Sequence, residues 1–141
     1  MPLTAFEPEQ LEQFTSDFEE LFYAADPASM TSFYAEDAQL MADGMQPIQG
    51  RAAIMEFWRS AIDRAADAGA RRAIRLHESH TSGDLGYALC TVTVRIPPAR
   101  GAAGADGISI AVWDATIWRR DPSGNWRIAV DISTPLPPST A

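Results

Sequence analysis

ISIAVWDATIWRRDPSGNWRIAVDIS, residues 108–133, decides the fold. Two runs rich in β-branched and aromatic residues flank Asp121–Asn125, a turn-forming pentapeptide with Pro and Gly. That pattern predicts an antiparallel hairpin: a long strand over 108–119, a turn, and a return strand over 126–133. Alternation along the return strand sets Trp126, Ile128, Val130 and Ile132 on one face. Arg127, Ala129, Asp131 and Ser133 fall on the other, so Asp131 is expected at the sheet surface or a dimer face, paired with an Arg. Asp114 is different. It lies between Trp113 and Ala115 in an apolar strand, where an ionised carboxylate is costly to bury. Two readings stay open: a pocket carboxyl with a raised pKa, or an exposed or Arg-paired strand residue.

Upstream, two further β segments are predicted, Ala73–Ser79 and Tyr87–Ile96, the second closed by Pro97-Pro98 and a Gly/Ala-rich connection to Gly107. The first half reads as helical. Leu11, Phe14, Phe18, Leu21 and Phe22 form an apolar stripe, with Glu9, Glu12, Gln13, Asp17, Glu19 and Glu20 opposite. Asp26-Pro27 opens a short second helix carrying Met30, Phe33 and Tyr34, followed by a short strand over 38–42. A long third helix spans 51–68 through Ile54, Phe57, Trp58, Ala61, Ile62 and Ala65, and Gly69 is its expected left-handed cap. Helices followed by a meander give an α+β domain with the helices across one sheet face. A twisted sheet wrapped in this way leaves a conical cavity with one open end, suited to a small molecule. The chain is expected to be one domain over 1–141, with 134–141 a frayed tail.

Composition narrows the partners. The 141 residues carry a formal charge of −8, and all 11 basic residues are Arg. The first 50 residues hold ten acids and no Arg or His; residues 51–141 hold the 11 Arg against nine acids. An acidic chain without a basic stripe is a poor ligand for nucleic acid or anionic membrane. MPLTAFEPEQ lacks the basic and apolar regions of a signal peptide, so a cytoplasmic location is expected, and the Lys-free, Ala- and Arg-rich usage suggests a bacterial source. The single cysteine, Cys90, allows no intrachain disulfide and reads as a core thiol. No metal or cofactor is expected. His77 and His80, three apart near a strand end, are placed on opposite faces and do not suit a shared ion.

Three stretches carry a resemblance: ADPASMTSFYAEDAQLM (25–41), Gly50-Arg51-Ala52-Ala53-Ile54 with Phe57-Trp58, and TIWRRDPSGNWRIAVDIS (116–133), joined by SGDLGYA (82–88). In this order and spacing the chain resembles the nuclear transport factor 2-like superfamily, in particular its SnoaL-like and ketosteroid-isomerase-like small proteins. The resemblance implies a cone-shaped, strongly curved antiparallel sheet around the N-terminal helices and a long third helix, the cystatin-like roll. It also implies a homodimer through the sheet face, with Trp113, Ile117 and Arg119 as a reasonable patch. Function is open within that superfamily, which includes enzymes and non-catalytic modules.

Tested position by position, the isomerases' general base falls on Ala42, with Asp43 one residue off in register, and their helix tyrosine falls on Phe18. Their buried carboxylic acid falls on Asp114. Asp114 and His80 are therefore the catalytic candidates, His80 having a second reading as a solvated strand-end residue. Phe18, Phe22, Tyr34, Met41, Trp58 and Trp118 are the candidate pocket wall. The expected function is a small-molecule pocket protein, a cofactor-independent isomerase, dehydratase or cyclase for a small hydrophobic ring compound. The alternative is a non-catalytic dimeric ligand-binding or assembly module.

Overall fold

Leu11, Phe14, Phe18 and Phe22 are buried on one side of helix α1 (Pro8–Tyr23), the stripe that the spacing predicts. They pack into the hollow of a sheet. A computed structural model describes residues 3–98 and 107–137. After α1 come α2 (Pro27–Thr31), β1 (Tyr34–Met41), β2 (Ile48–Gln49), α3 (Arg51–Ala68), β3 (Arg71–Ser82), β4 (Leu85–Ile96), β5 (Ile108–Arg120) and β6 (Trp126–Pro135). The Gly/Ala-rich connection predicted before Gly107 lies, apart from Gly107 itself, outside the described residues. Residues 138–141 of the expected tail lie there too. Thr134 and Pro135 do not fray: they continue β6, and Leu136 N–H donates to the Ala111 carbonyl at 2.8 Å.

The six strands form one curved, unclosed sheet in the order β2-β1-β6-β5-β4-β3. All neighbours are antiparallel except β1 and β6, which run parallel. The predicted hairpin is present, its turn held by Asp121 Oδ1, which accepts from Ser123 N–H at 2.9 Å and Asn125 N–H at 3.0 Å. Asp26 caps α2 by accepting from Ser29 N–H at 3.1 Å, and Gly69 closes α3 in the left-handed region at φ 64°. Tyr34 is not helical: α2 stops at Thr31, and Tyr34 begins β1.

Trp118 and Tyr34 fill the centre of the core, both 0% exposed. Phe14 meets the Trp118 ring edge-on at 4.9 Å, and Phe6 packs at 5.9 Å. Phe6 also fixes the neighbouring strand. A Cβ built on Gly86 would lie 2.6 Å from the Phe6 ring. Gly86→Ala should therefore lower stability by about 1–3 kcal/mol through overpacking. Chemical denaturation would check it, and a midpoint equal to that of the wild type would sink the idea.

The ladder has three irregularities. Ala129 is unpaired where Ile117 faces Val130 and Trp118 faces Ile128. His77 is unpaired between the Leu76–Cys90 and Glu78–Leu89 pairs. The β1–β6 register also shifts between Tyr34 and Gln39. An extra residue in one strand turns everything beyond it to the opposite face. Asp131 consequently points into the core and Ile132 outward, the reverse of strict alternation.

The charge asymmetry resolves into contacts. Arg51, Arg72 and Arg119 pair with Glu36, Glu19 and Asp37 respectively, all acids of the Arg-free first 50 residues. No helix among the described residues is long and apolar enough to cross a membrane.

Candidate active site

Four side chains from four elements meet where the helices face the hollow of the sheet: Trp58 on α3, Arg72 on β3, Asp114 on β5 and Asp131 on β6. They line two cavities at once. The inner one, of about 30 Å³, is otherwise walled largely by apolar groups such as Leu11, Phe18, Ile74 and Ile128. That is room for a water or two. The outer one, of about 180 Å³, is walled by Leu40, Phe57, Val92, Val94 and Val112. It is smaller than the roughly 300–1,000 Å³ of drug-sized sites and matches a ligand of about one ring.

Asp114 faces Ser133 across the β5–β6 ladder, and Asp131 faces Thr116. The two aspartates are thus diagonal neighbours on the concave face, close enough for acidic side chains to meet. Their carboxyls line the same two cavities. Burial, then the charge of Asp131 and the bond to it, hold Asp114 well above the usual carboxylate range, and Arg72 opposes this. Two adjacent carboxyls in low-polarity surroundings do not both ionise readily, so Asp114 tends to hold its proton. Asp114 Oδ1 is left buried without a partner.

A directed chain of donors supports the pair. The Tyr34 hydroxyl donates to Asp131 Oδ2 at 2.6 Å, and Trp58 Nε1 donates to the Tyr34 hydroxyl at 3.2 Å. Burial and the neighbouring Asp131 charge push the Tyr34 hydroxyl well above the ordinary phenol range, so it stays a donor. Arg51 Nε donates to the Tyr34 carbonyl at 2.8 Å, which gives the Gly50-Arg51 start of α3 a role in placing the network. Cys90, opposite Asp114 on β4, lines the inner cavity; burial and the nearby carboxylates push its thiol up to about 12, which leaves it a neutral wall.

The structure redistributes the residues singled out from sequence. Asp114 sits at the boundary of the two cavities, and Phe18, Tyr34 and Trp58 line the inner one. His80 does not reach either: the bulge at His77 turns it outward beside Tyr87, their rings 6.2 Å apart. His77 lies on that same outward face, bonded to Thr91 and packed on Trp113, so the two histidines do not point to opposite faces. Phe22 and Trp118 are core residues that border neither cavity. Met41 is on the opposite face of β1 from buried Ala38 and Leu40, and Leu40 takes the wall position instead. Asp43 is exposed beyond the strand.

Asp131, expected at the surface, is 6% exposed and central. Arg72 and Glu19 were not singled out as site residues. Arg72, Ile74 and Leu76 alternate onto one face of β3, a parity signal that was available.

Residues 15–127 match the family model of the SnoaL-like domain. The chain belongs to the SnoaL-like family. Solved structures show the shared fold. A nuclear transport factor 2-like protein with a cystatin-like fold from Novosphingobium aromaticivorans is 19% identical, with TM-score 0.77 over 94% of this chain and 83% of that one. A ketosteroid isomerase-like protein from Erwinia carotovora atroseptica is 20% identical, with TM-score 0.70 over 94% and 100%. A domain of unknown function from Nostoc punctiforme is 14% identical, with TM-score 0.75 over 92% and 76%. No curated protein matches significantly. In this SnoaL-like chain, then, the roll that the resemblance implies is present, and its hollow carries an aspartate pair.

Proposed function

We propose that this SnoaL-like protein is a cofactor-independent acid–base catalyst for a small, largely apolar ring compound, with Asp114 and Asp131 moving the proton. The observation that carries the reading is the pair itself: buried Asp131 and half-buried Asp114 as diagonal neighbours on the concave face, with Asp114 Oδ1 unpartnered at the cavity boundary. The likeness in fold to a ketosteroid isomerase-like protein is consistent with this chemistry.

The pair starts with one proton, shared from Asp114 toward Asp131. When Asp114 Oδ1 accepts a proton from the carbon beside a substrate carbonyl, the proton already on Asp114 passes to Asp131. Both carboxyls end neutral, and the electron pair of the broken C–H bond moves onto the carbonyl oxygen as an enolate. Reversing the relay at another carbon isomerises the substrate. The low-polarity surroundings make Asp114 a stronger base than a solvated carboxylate. Tyr34, donating to Asp131, orients the receiving carboxyl.

The test is proton exchange at the α-carbons of cyclohexanone in D2O, followed by ¹H NMR. Wild-type protein should accelerate loss of the α-proton signal over buffer at equal pD. Ligand-induced shifts without any acceleration, for cyclohexanone and 2-cyclohexenone alike, would favour a binding module.

A further inference from the structure

Arg72 is an unusual occupant of this hollow. Its side chain is 10% exposed, and Nε lies 3.5 Å from Glu19 Oε1, itself on a side chain 15% exposed. The guanidinium carbon stands 4.6 Å from the centroid of the Phe22 ring and 5.3 Å from that of Trp58. Nη1 is buried with no hydrogen-bond partner. Arg72 lines both cavities alongside Asp114.

Its backbone is held as well. Tyr23, at the end of α1, donates its hydroxyl to the Arg72 carbonyl at 2.7 Å and accepts from Arg72 N–H at 2.8 Å. This tie matters because β3 is an edge strand, whose free backbone groups otherwise face no neighbour. The strand, the aromatic faces and Glu19 together fix where the guanidinium lies.

A buried guanidinium N–H without an acceptor is costly, and a ligand that supplies the acceptor recovers that cost. Both oxygens of Glu19 are orphaned acceptors too, but of the acceptors that line the cavities Asp114 Oδ1 is the complementary orphan. The site therefore offers one donor and one acceptor on the same cavity walls.

We propose that Arg72 is the residue that selects the ligand, its Nη1 donating to the oxygen of a neutral carbonyl group and thereby favouring small ketones over carboxylates of the same shape. The inference rests on the acid–base reading for the kind of oxygen involved, while the recognition step stands apart from turnover. Neutrality follows from the charges on the cavity wall and directly behind it. Behind the wall Glu19 offsets Arg72, and the aspartate pair on the wall holds one negative charge. A carboxylate entering here meets net negative surroundings; a ketone meets a fixed donor. As charge develops on the carbonyl oxygen in enolisation, that donor is already in place.

The experiment compares three probes of similar shape by ligand-observed NMR titration: cyclohexanone, methylenecyclohexane and cyclohexanecarboxylate. Wild-type protein should prefer the ketone over the hydrocarbon by roughly 10- to 100-fold, the effect of a hydrogen bond to a charged donor. Arg72→Met should abolish that preference. Arg72→Lys keeps the charge and most of the stem but loses the planar fork, and should retain only part of it. Glu19→Gln leaves the guanidinium uncompensated and should admit the carboxylate about tenfold more tightly, at unchanged hydrocarbon affinity. Circular dichroism confirms that each variant is folded; if Arg72→Met is not, the Lys and Gln variants decide the matter.

Asp114→Asn, which removes the proton acceptor, should keep the ketone preference. That separates the two readings. A preference lost in the Arg72 variants but kept in Asp114→Asn supports Arg72 as the selector even if no exchange is seen. Exchange that persists in a folded Arg72→Met protein with an unaltered preference overturns the assignment and leaves the aspartate pair standing. A wild-type protein that fails to discriminate the ketone from the hydrocarbon also overturns it.

Discussion

Trp118→Ala should cost about 3–5 kcal/mol of folding free energy, the range for emptying a large aromatic site in a packed core. Trp118 is 0% exposed and sits where Phe14 of α1 and Phe6 of the N-terminal segment meet β5. No solvent can enter to relieve the void without parting the helix from the sheet. The substitution also removes the Nε1 donor to buried Thr116 Oγ1, at 2.8 Å, and leaves a polar atom without its partner. For a domain whose whole stability is about 5–15 kcal/mol, such a loss puts the variant near its unfolding threshold. Urea denaturation of the two proteins measures it. Trp113→Ala is the control, because Trp113 lies on the outward face of the same strand, only partly buried. It should cost clearly less. Equal losses at the two positions would show that Trp118 is not the keystone of this core.

Much of the architecture was legible because it rests on local, strongly patterned signals. The α1 stripe, the Asp26-Pro27 start, Gly69 and the Asp121–Asn125 turn are each fixed within a few residues, and each does what its chemistry dictates. Face assignments within strands were less legible. Strict alternation sends Asp131 outward and leaves His80 able to reach the cavity. Bulges at Ala129 and His77 set the observed faces. A bulge needs only one residue near helical dihedrals, which ordinary residues adopt, so neither Ala129 nor His77 advertises it. The site suffered accordingly. Asp114 announced itself as a carboxylate in an apolar run. Its partner across the ladder did not, because its orientation depends on the residue two before it.

Arg72 and Glu19 show a different limit. Glu19 belongs to the acidic side of α1 when the helix is read alone, and Arg72 is the second residue of a strand rich in exposed charge. Only the packing of α1 on β3 brings them together, and a pair distant in sequence leaves no local pattern. The consequence for function is direct. Residues that read as solvated charge supply the site with its cation, while the more familiar candidate, His80, is left outside.

Asp114→Asn should separate activity from stability. Asparagine keeps the shape and still donates to Asp131 through its amide, but it has no oxygen that takes up a proton at neutral pH. Exchange of cyclohexanone α-protons should fall about 10²–10⁴-fold, the usual worth of a positioned proton acceptor. Stability should move the other way, and with pH. In the unfolded chain Asp114 titrates near the ordinary value of about 3.9. In the folded protein burial and then the Asp131 charge hold it well above that. Above about pH 4 the folded state therefore binds more protons at this site than the unfolded state does, and its stability declines as pH rises toward the folded pKa. Below about pH 4 the contribution of Asp114 is fully present. The Asn variant lacks this decline. Its advantage over wild type should be greater at pH 8 than at pH 4. Urea denaturation at the two pH values reads the difference. A variant that loses exchange with the same stability difference at both pH values would deny Asp114 its raised affinity for the proton. One that keeps full exchange would remove it from the relay altogether.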